Sequence, residues 1–237
     1  LKIEEKNDKI LIKVELPEDG NIKHGDAILK LQVPELCYQI LVNGISADIT
    51  ISGTTTKLLN AKTISGDILF KAESETADLN SISGDVIFSS QGITTSIETI
   101  SGDIVYEHNK DLNSIQKLSA KSISGDIVIK GSLIIEKGQF HTTSGDIQLQ
   151  TNIKDPGSMN VKSLSGEIEL TVPPTIPALF EISSFSGDID DHLFNKTAQE
   201  TSEYTPEKKL RFGQGKESIR ISLETFSGDI SINPLKN

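Results

Sequence analysis

One short phrase recurs nine times along the chain: a residue that is usually apolar, then Ser-Gly-Asp, then Ile or Val. The copies are Ile45-Ser46-Ala47-Asp48-Ile49, Ile64 to Ile68, Ile82 to Val86, Ile100 to Ile104, Ile123 to Ile127, Thr143 to Ile147, Leu164 to Ile168, Phe185 to Ile189 and Phe226 to Ile230. Their acidic members are Asp48, Asp67, Asp85, Asp103, Asp126, Asp146, Glu167, Asp188 and Asp229, separated by 19, 18, 18, 23, 20, 21, 21 and 41 residues. A period of about 20 residues with a fixed turn phrase specifies stacked supersecondary units rather than one globular core.

Aligning the copies exposes the rest of the rung. The residue after each acid is Ile or Val, and two further on stand Ile51, Phe70, Phe88, Tyr106, Ile129, Leu149, Leu170 and Ile232. Strict alternation of this kind is a half-buried strand. Three residues before the leading position stand Ala61, Leu79, Ile97, Ala120, Phe140, Val161, Ile182 and Leu223. Two before those, Leu59, Ala77, Leu118, Met159, Phe180 and Ile221 are apolar, whereas Thr95 and Gly138 are not. Each rung therefore reads as two or three short strands with Ser-Gly-Asp at a corner. Glycine tolerates positive φ there, and Ser and Asp can bond nearby backbone amides. Ala47 in the first copy implies a different, terminal geometry. The expected fold is all-β: a single-stranded parallel β-helix, or β-solenoid, of about nine rungs of roughly 20 residues.

Two regions break the pattern. Residues 1–42 lack the phrase but alternate (Ile10, Ile12, Val14; Leu29, Leu31, Val33), with Pro17 and Pro34 closing the runs. They read as a strand-rich N-terminal cap on an end that would otherwise expose unpaired backbone. Regular rungs are expected over 43–190, and a final rung over 219–237. Between them, residues 191–218 are mostly polar, and Asp191 stands where alternation wants an apolar residue. This stretch reads as a surface excursion or hairpin. Its Tyr204, Leu210, Arg211 and Phe212 are the candidate partner contacts, because loops that interrupt repeats are common binding elements. The alternative is that it covers the open C-terminal edge.

Composition narrows the function. The formal net charge is -11, which disfavours nucleic acid and anionic membrane surfaces. Arg211 and Arg220 are the only arginines. No apolar run is long enough to span a membrane, so membrane attachment is expected only through a segment outside this chain. Because the sequence begins at Leu1, an upstream segment is expected to have been removed. A single cysteine, Cys37, excludes an intrachain disulfide and reads as a buried thiol. His24, His108, His141 and His192 show no paired metal-ligand spacing, and His141 reads as an outward strand residue.

Stacked corners would stack their acids. Two unit charges about 5 Å apart repel by roughly 0.8 kcal/mol in water. Capping by backbone amides is the favoured relief, making the acids a structural turn ladder. Bound Ca²⁺ is the less favoured one, since the calcium-solenoid pattern uses nonapeptides with paired glycines. No cofactor is therefore expected. Gly213-Gln214-Gly215-Lys216 lacks phosphate-loop spacing and reads as a tight turn. Asn195-Lys196-Thr197 fits a glycosylation sequon, and the Thr residues do not recur at one register, which argues against an ice-binding array.

The recurrent Ser-Gly-Asp-Ile, the Val33-Pro34 segment and the Gly-x-Gly stretch before Thr225-Phe226-Ser227-Gly228-Asp229-Ile230 resemble a bacterial family of β-solenoid proteins labelled as adhesins and largely of unknown function. The resemblance covers roughly residues 30–237. It implies a right-handed coil and a place in the cell envelope or outside the cell, and it carries no catalytic residues. The leading expectation is a non-enzymatic surface protein acting as a rigid scaffold for a protein, a glycan or another copy of itself. An envelope-stress regulatory component is the alternative. A polysaccharide lyase or hydrolase is disfavoured, because the acids form a uniform repeat with no singled-out pair.

Overall fold

The computed structural model describes residues 2–6, 9–13, 28–90, 92–107, 113–131, 133–202, 205–213 and 218–235. The chain forms two compact units, Leu1–Gln32 and Val33–Asn237. In the first, β1 (Lys2–Lys6) and β2 (Lys9–Lys13) make an antiparallel pair. Val14, Pro17 and His24 lie outside the described residues. The run holding Leu29, Leu31 and Val33 alternates in sequence, yet it is not strand and all three side chains are exposed.

The second unit is built from strands most of which flank the copies of the phrase. They are β3 (Leu36–Asn43), β4 (Ile49–Thr63), β5 (Ile68–Ser81), β6 (Val86–Phe88), β7 (Gly92–Glu98), β8 (Ile104–Glu107), β9 (Asn113–Ser122), β10 (Ile127–Lys130) and β11 (Leu133–Ser144). Next come β12 (Ile147–Gln150), β13 (Asn152–Ser165), β14 (Ile168–Val172), β15 (Ala178–Ser186), β16 (Ile189–Asp191), β17 (Gln199–Ser202), β18 (Thr205–Gly213), β19 (Ile219–Ser227) and β20 (Ile230–Pro234). No helix occurs among the described residues. Of the residues expected as a cap, 1–42, those of β3 belong to the second unit and pair in parallel with β4.

Parallel pairing of equivalent positions makes this unit a β-solenoid. Ile49 lies beside Ile68, Ile68 beside Val86, Val86 beside Ile104, Ile104 beside Ile127, Ile127 beside Ile147, and Ile147 beside Ile168. These are about six consecutive turns, from the Asp48 corner to the Glu167 corner. The inward columns read from the sequence are the core: Phe70, Phe88, Ile129 and Leu170 are fully buried, as are Ala61, Leu79, Ile97 and Val161. Aromatic members meet edge to face where they adjoin, with the Phe88 and Tyr106 rings 5.1 Å apart.

After Val172 the stack leaves chain order. The last strands do not sit at the end: β19 lies between β13 and β15, and β20 lies between β14 and β16. The Asp229 corner is therefore inserted between those of Glu167 and Asp188. Nine corners stack, but the expectation of nine rungs in chain order holds only for the first seven. Asp191 explains the departure. It occupies the inward position beside Ile232 and is buried. Its carboxylate accepts the main-chain N–H groups of Leu193, Phe194 and Lys196. A charge that would disrupt a continuing core column here caps the turn that leaves the stack.

The expected excursion is a hairpin, β17 antiparallel to β18, and β18 runs antiparallel along β15. Phe212 stacks on Phe180 at 4.8 Å and meets Phe194 edge to face at 5.2 Å. The outermost rung thus has its free edge paired and an aromatic plug beside it.

Candidate binding surface

The corners repeat one hydrogen-bond scheme. The main-chain N–H of each acid donates to the carboxylate of the acid one turn earlier: Asp67 to Asp48 (3.0 Å), Asp85 to Asp67 (2.9 Å), and Asp103 to Asp85 (2.8 Å). Asp126 donates to Asp103, Asp146 to Asp126, and Glu167 to Asp146, each at 2.8 Å. At the far end Asp188 donates to Asp229 at 2.7 Å. The step from Glu167 to Asp229 is the exception, where the one glutamate stands. Each carboxylate keeps an oxygen for solvent, and most of these acids are exposed. The ladder ends at the cap, where Lys208 donates to Asp188; that bond raises the ammonium's pKa above the ordinary lysine value.

A second ladder lies just inside the first. In every copy after the first, where Gly44 stands, the residue before the leading position is Ser or Thr, and its hydroxyl donates to the glycine-position carbonyl of the neighbouring corner. Thr63 reaches Ala47 at 3.1 Å, Ser122 reaches Gly102 at 3.2 Å, Thr142 reaches Gly125 at 3.2 Å, and Ser184 reaches Gly228 at 3.0 Å. The hydroxyl is recurrent in the sequence, but without the stack it has no visible partner.

Glycine is needed at the corners for a reason other than the one expected. Among the corner glycines, only Gly228 has a positive φ, 153°. The others are forced by close approach: a Cβ at Gly84 would lie 2.0 Å from the Gly66 carbonyl oxygen, and one at Gly102 would lie 2.1 Å from that of Gly84. Ala47 is tolerated because its corner is the first, with no corner stacked before it.

The leading residues of the phrase form the main exposed feature. They project outward, so the solenoid carries a column of Ile45, Ile64, Ile82, Ile100, Ile123, Thr143, Leu164, Phe226 and Phe185 in stacking order. All except Thr143 are 39% to 73% exposed. Phe226 and Phe185 stack face to face at 4.7 Å, as the column requires. The acid ladder runs along one side of this ridge. Beyond it, half-buried Leu69, Ile87, Val105 and Val128 add a second apolar column over four rungs, replaced toward the cap by Gln148, Glu169, Ser231 and Asp190. On the ridge's other side, outward positions carry Lys62, Asn80, Glu98, Lys121, His141, Lys162 and Glu224. Lys121 pairs with Glu98 at 2.9 Å, and Lys162 with Glu224 at 2.6 Å.

The four residues read as partner contacts are placed differently. Tyr204 lies outside the described residues. Leu210 is buried opposite Ile182, and Phe212 is half-buried in the aromatic plug. Both serve the cap and offer a partner little surface. Arg211 is exposed, with its guanidinium Nε 3.2 Å from Glu181. Cys37 is half-buried rather than buried, since it lies on the first strand of the stack. His141 faces outward as expected, and His108 and Gln214 to Lys216 lie outside the described residues.

A shallow groove of about 590 Å³ is lined by Leu36, Tyr38, Thr55, Lys57, Glu73 and Ile93, on β3 and the strands that follow it in the stack. Among the described residues, no group of three or more His, Cys, Asp or Glu is disposed to hold a metal ion. No helix among them is long and apolar enough to cross a membrane.

These features define a class: a parallel β-solenoid whose corners are held by side-chain ladders and whose surface carries a repeated apolar and acidic pattern. The chain belongs to the Toastrack DUF4097 family, a β-solenoid family of unknown function, which it matches over residues 5–132 and again over residues 114–233. Two overlapping matches along one chain fit a fold in which successive turns are equivalent. No curated protein and no solved structure matches it.

Proposed function

We propose that this chain is a non-enzymatic binding scaffold of the bacterial cell envelope or cell surface, an adhesin-type role in which the solenoid holds a protein or glycan partner along its length. The observation that carries this reading is the exposed apolar ridge beside the acid ladder. Isolated exposed apolar residues are ordinary, but a contiguous patch larger than a few hundred Å² marks an interaction site. Regularity supports a binding role over a catalytic one. Reaction at a glycosidic bond needs two carboxylates in unlike environments. Here the acids from Asp48 to Asp146 share one environment, repeated at successive turns, with Glu167 differing by one methylene and Asp188 bonded to Lys208.

Protease shaving of intact source cells tests the location. Loss of the domain from unlysed cells supports a surface scaffold. Full protection until lysis overturns the surface assignment and directs the search to partners inside the cell.

A further inference from the structure

We infer that the apolar ridge is a self-association surface, and that two copies pack ridge to ridge with their solenoid axes parallel. The inference rests on the scaffold reading and names the partner of that same surface. Three observations favour a second copy.

The first is commensurability. The ridge repeats at the spacing of adjacent strands, about 4.8 Å, over nine corners. A local ligand would use a few of them. A partner that uses all must be as long and carry apolar groups at the same interval, which a second copy does.

The second is area. The eight exposed apolar side chains leave on the order of 700 Å² accessible, close to the roughly 800 Å² per partner of a standard interface.

The third is charge, which also selects the axis. The ridge has the acid ladder on one side and the column containing Lys62, Lys121, His141 and Lys162 on the other. A two-fold axis across the solenoids would set acid ladder against acid ladder. A two-fold axis along them sets each acid ladder against the partner's lysine-bearing column. Lys121 and Lys162 are paired with Glu98 and Glu224 of the same column, so that column is close to neutral and the parallel arrangement is favoured chiefly because it keeps acid ladder from facing acid ladder.

The parallel arrangement has a specific geometric signature. Each ridge residue faces its own counterpart at the same level. In a Cys37→Ser background, Ile64→Cys, Ile100→Cys and Leu164→Cys should therefore each give a disulfide-linked dimer under mild oxidation. An antiparallel pair would bring together only the middle of the ridge, at Ile123.

Sedimentation of the full chain tests the proposal directly. The expected result is a concentration-dependent species of twice the chain mass. A combined Ile82→Lys, Ile100→Lys and Ile123→Lys variant should stay monomeric while keeping the wild-type circular dichroism and melting temperature. A wild-type chain that stays monomeric at its highest soluble concentration overturns the proposal, as does a triple variant that dimerises equally well. Cross-linking confined to Ile123→Cys overturns the parallel arrangement. None of these results bears on the shaving experiment, so self-association and the surface scaffold can fail separately.

Discussion

The carboxylate of Asp103 accepts the main-chain N–H of Asp126 at 2.8 Å, although the two residues are 23 positions apart. The same oxygen-to-amide step joins most neighbouring corners, so the acids fasten one turn to the next. A charge-assisted bond of this kind contributes about 1.5–3 kcal/mol, and repulsion from acids about 5 Å above and below offsets part of it. Asp103→Ala should therefore cost about 1 kcal/mol in chemical denaturation. Asp103→Asn keeps an acceptor and removes the repulsion, so its stability should lie close to wild type. If Asn is as damaging as Ala, the charge itself matters and the amide-capping account fails.

The same account predicts indifference to divalent cations. Seven of the nine carboxylates already have a main-chain donor, and Asp188 has the Lys208 ammonium, so no cation is needed to bring adjacent turns together. Adding EDTA, or millimolar Ca²⁺, should move the melting temperature by no more than about 1 °C. A shift of many degrees would show that ions hold the ladder.

Close approach at the corners gives a sharper contrast. A Cβ at residue 102 would meet the Gly84 carbonyl oxygen at 2.1 Å, and that oxygen belongs to backbone on a paired turn. Relief requires the turns to separate, so Gly102→Ala should cost about 3 kcal/mol or more. Ala47→Gly, at the first corner, removes no clash and should change stability by under about 1 kcal/mol. Equal effects at the two sites would mean that glycine serves the turn's own conformation instead of the stacking.

The contrast also shows what was legible in the sequence. Alternation around the phrase located the inward columns, because each strand's pleat is a local property. Ser-Gly-Asp located the corners for the same reason. The purpose of the glycine was not legible, since a steric limit between turns has no counterpart within one turn. The outward ridge was legible in principle: Ile64 stands three residues after inward Ala61, so alternation turns it to solvent. The order of the last two rungs was not. Their corners present the same donors and acceptors as every other corner, so nothing local says which stacks on which. Asp191 and the long spacing before Asp229 were the only marks of irregularity. The packing of Leu210 and Phe212 against β15 was not legible, because an apolar residue in a polar excursion looks the same whether it seals an end or awaits a partner.

Glu167 offers a gain of stability. Its carboxylate is one methylene further from the backbone than its neighbours', and the Asp229 amide does not donate to it. Glu167→Asp should restore the missing step and stabilise the fold by about 1 kcal/mol, or a few degrees in melting temperature. A neutral or destabilising result would mean that the inserted rung cannot approach the Glu167 corner closely enough to use the bond.

The rung order itself can be tested by comparing Ile189 and Ile230, which occupy equivalent positions one turn apart. In chain order Ile230 would lie on the outermost turn. In the observed stack it lies between Ile168 and Ile189, with paired strands on both sides. Ile230 is fully buried, whereas Ile189 is 8% exposed at the end of the stack. Removing a side chain packed from both sides leaves the larger cavity. Ile230→Ala should therefore cost about 4 kcal/mol, and Ile189→Ala about 2 kcal/mol. Hydrogen exchange should agree, with the amides of β20 protected like those of the interior turns and those of β16 opening first. The reverse ranking in both measurements would place the C-terminal rung at the end of the solenoid and remove the inserted strand pair from the fold.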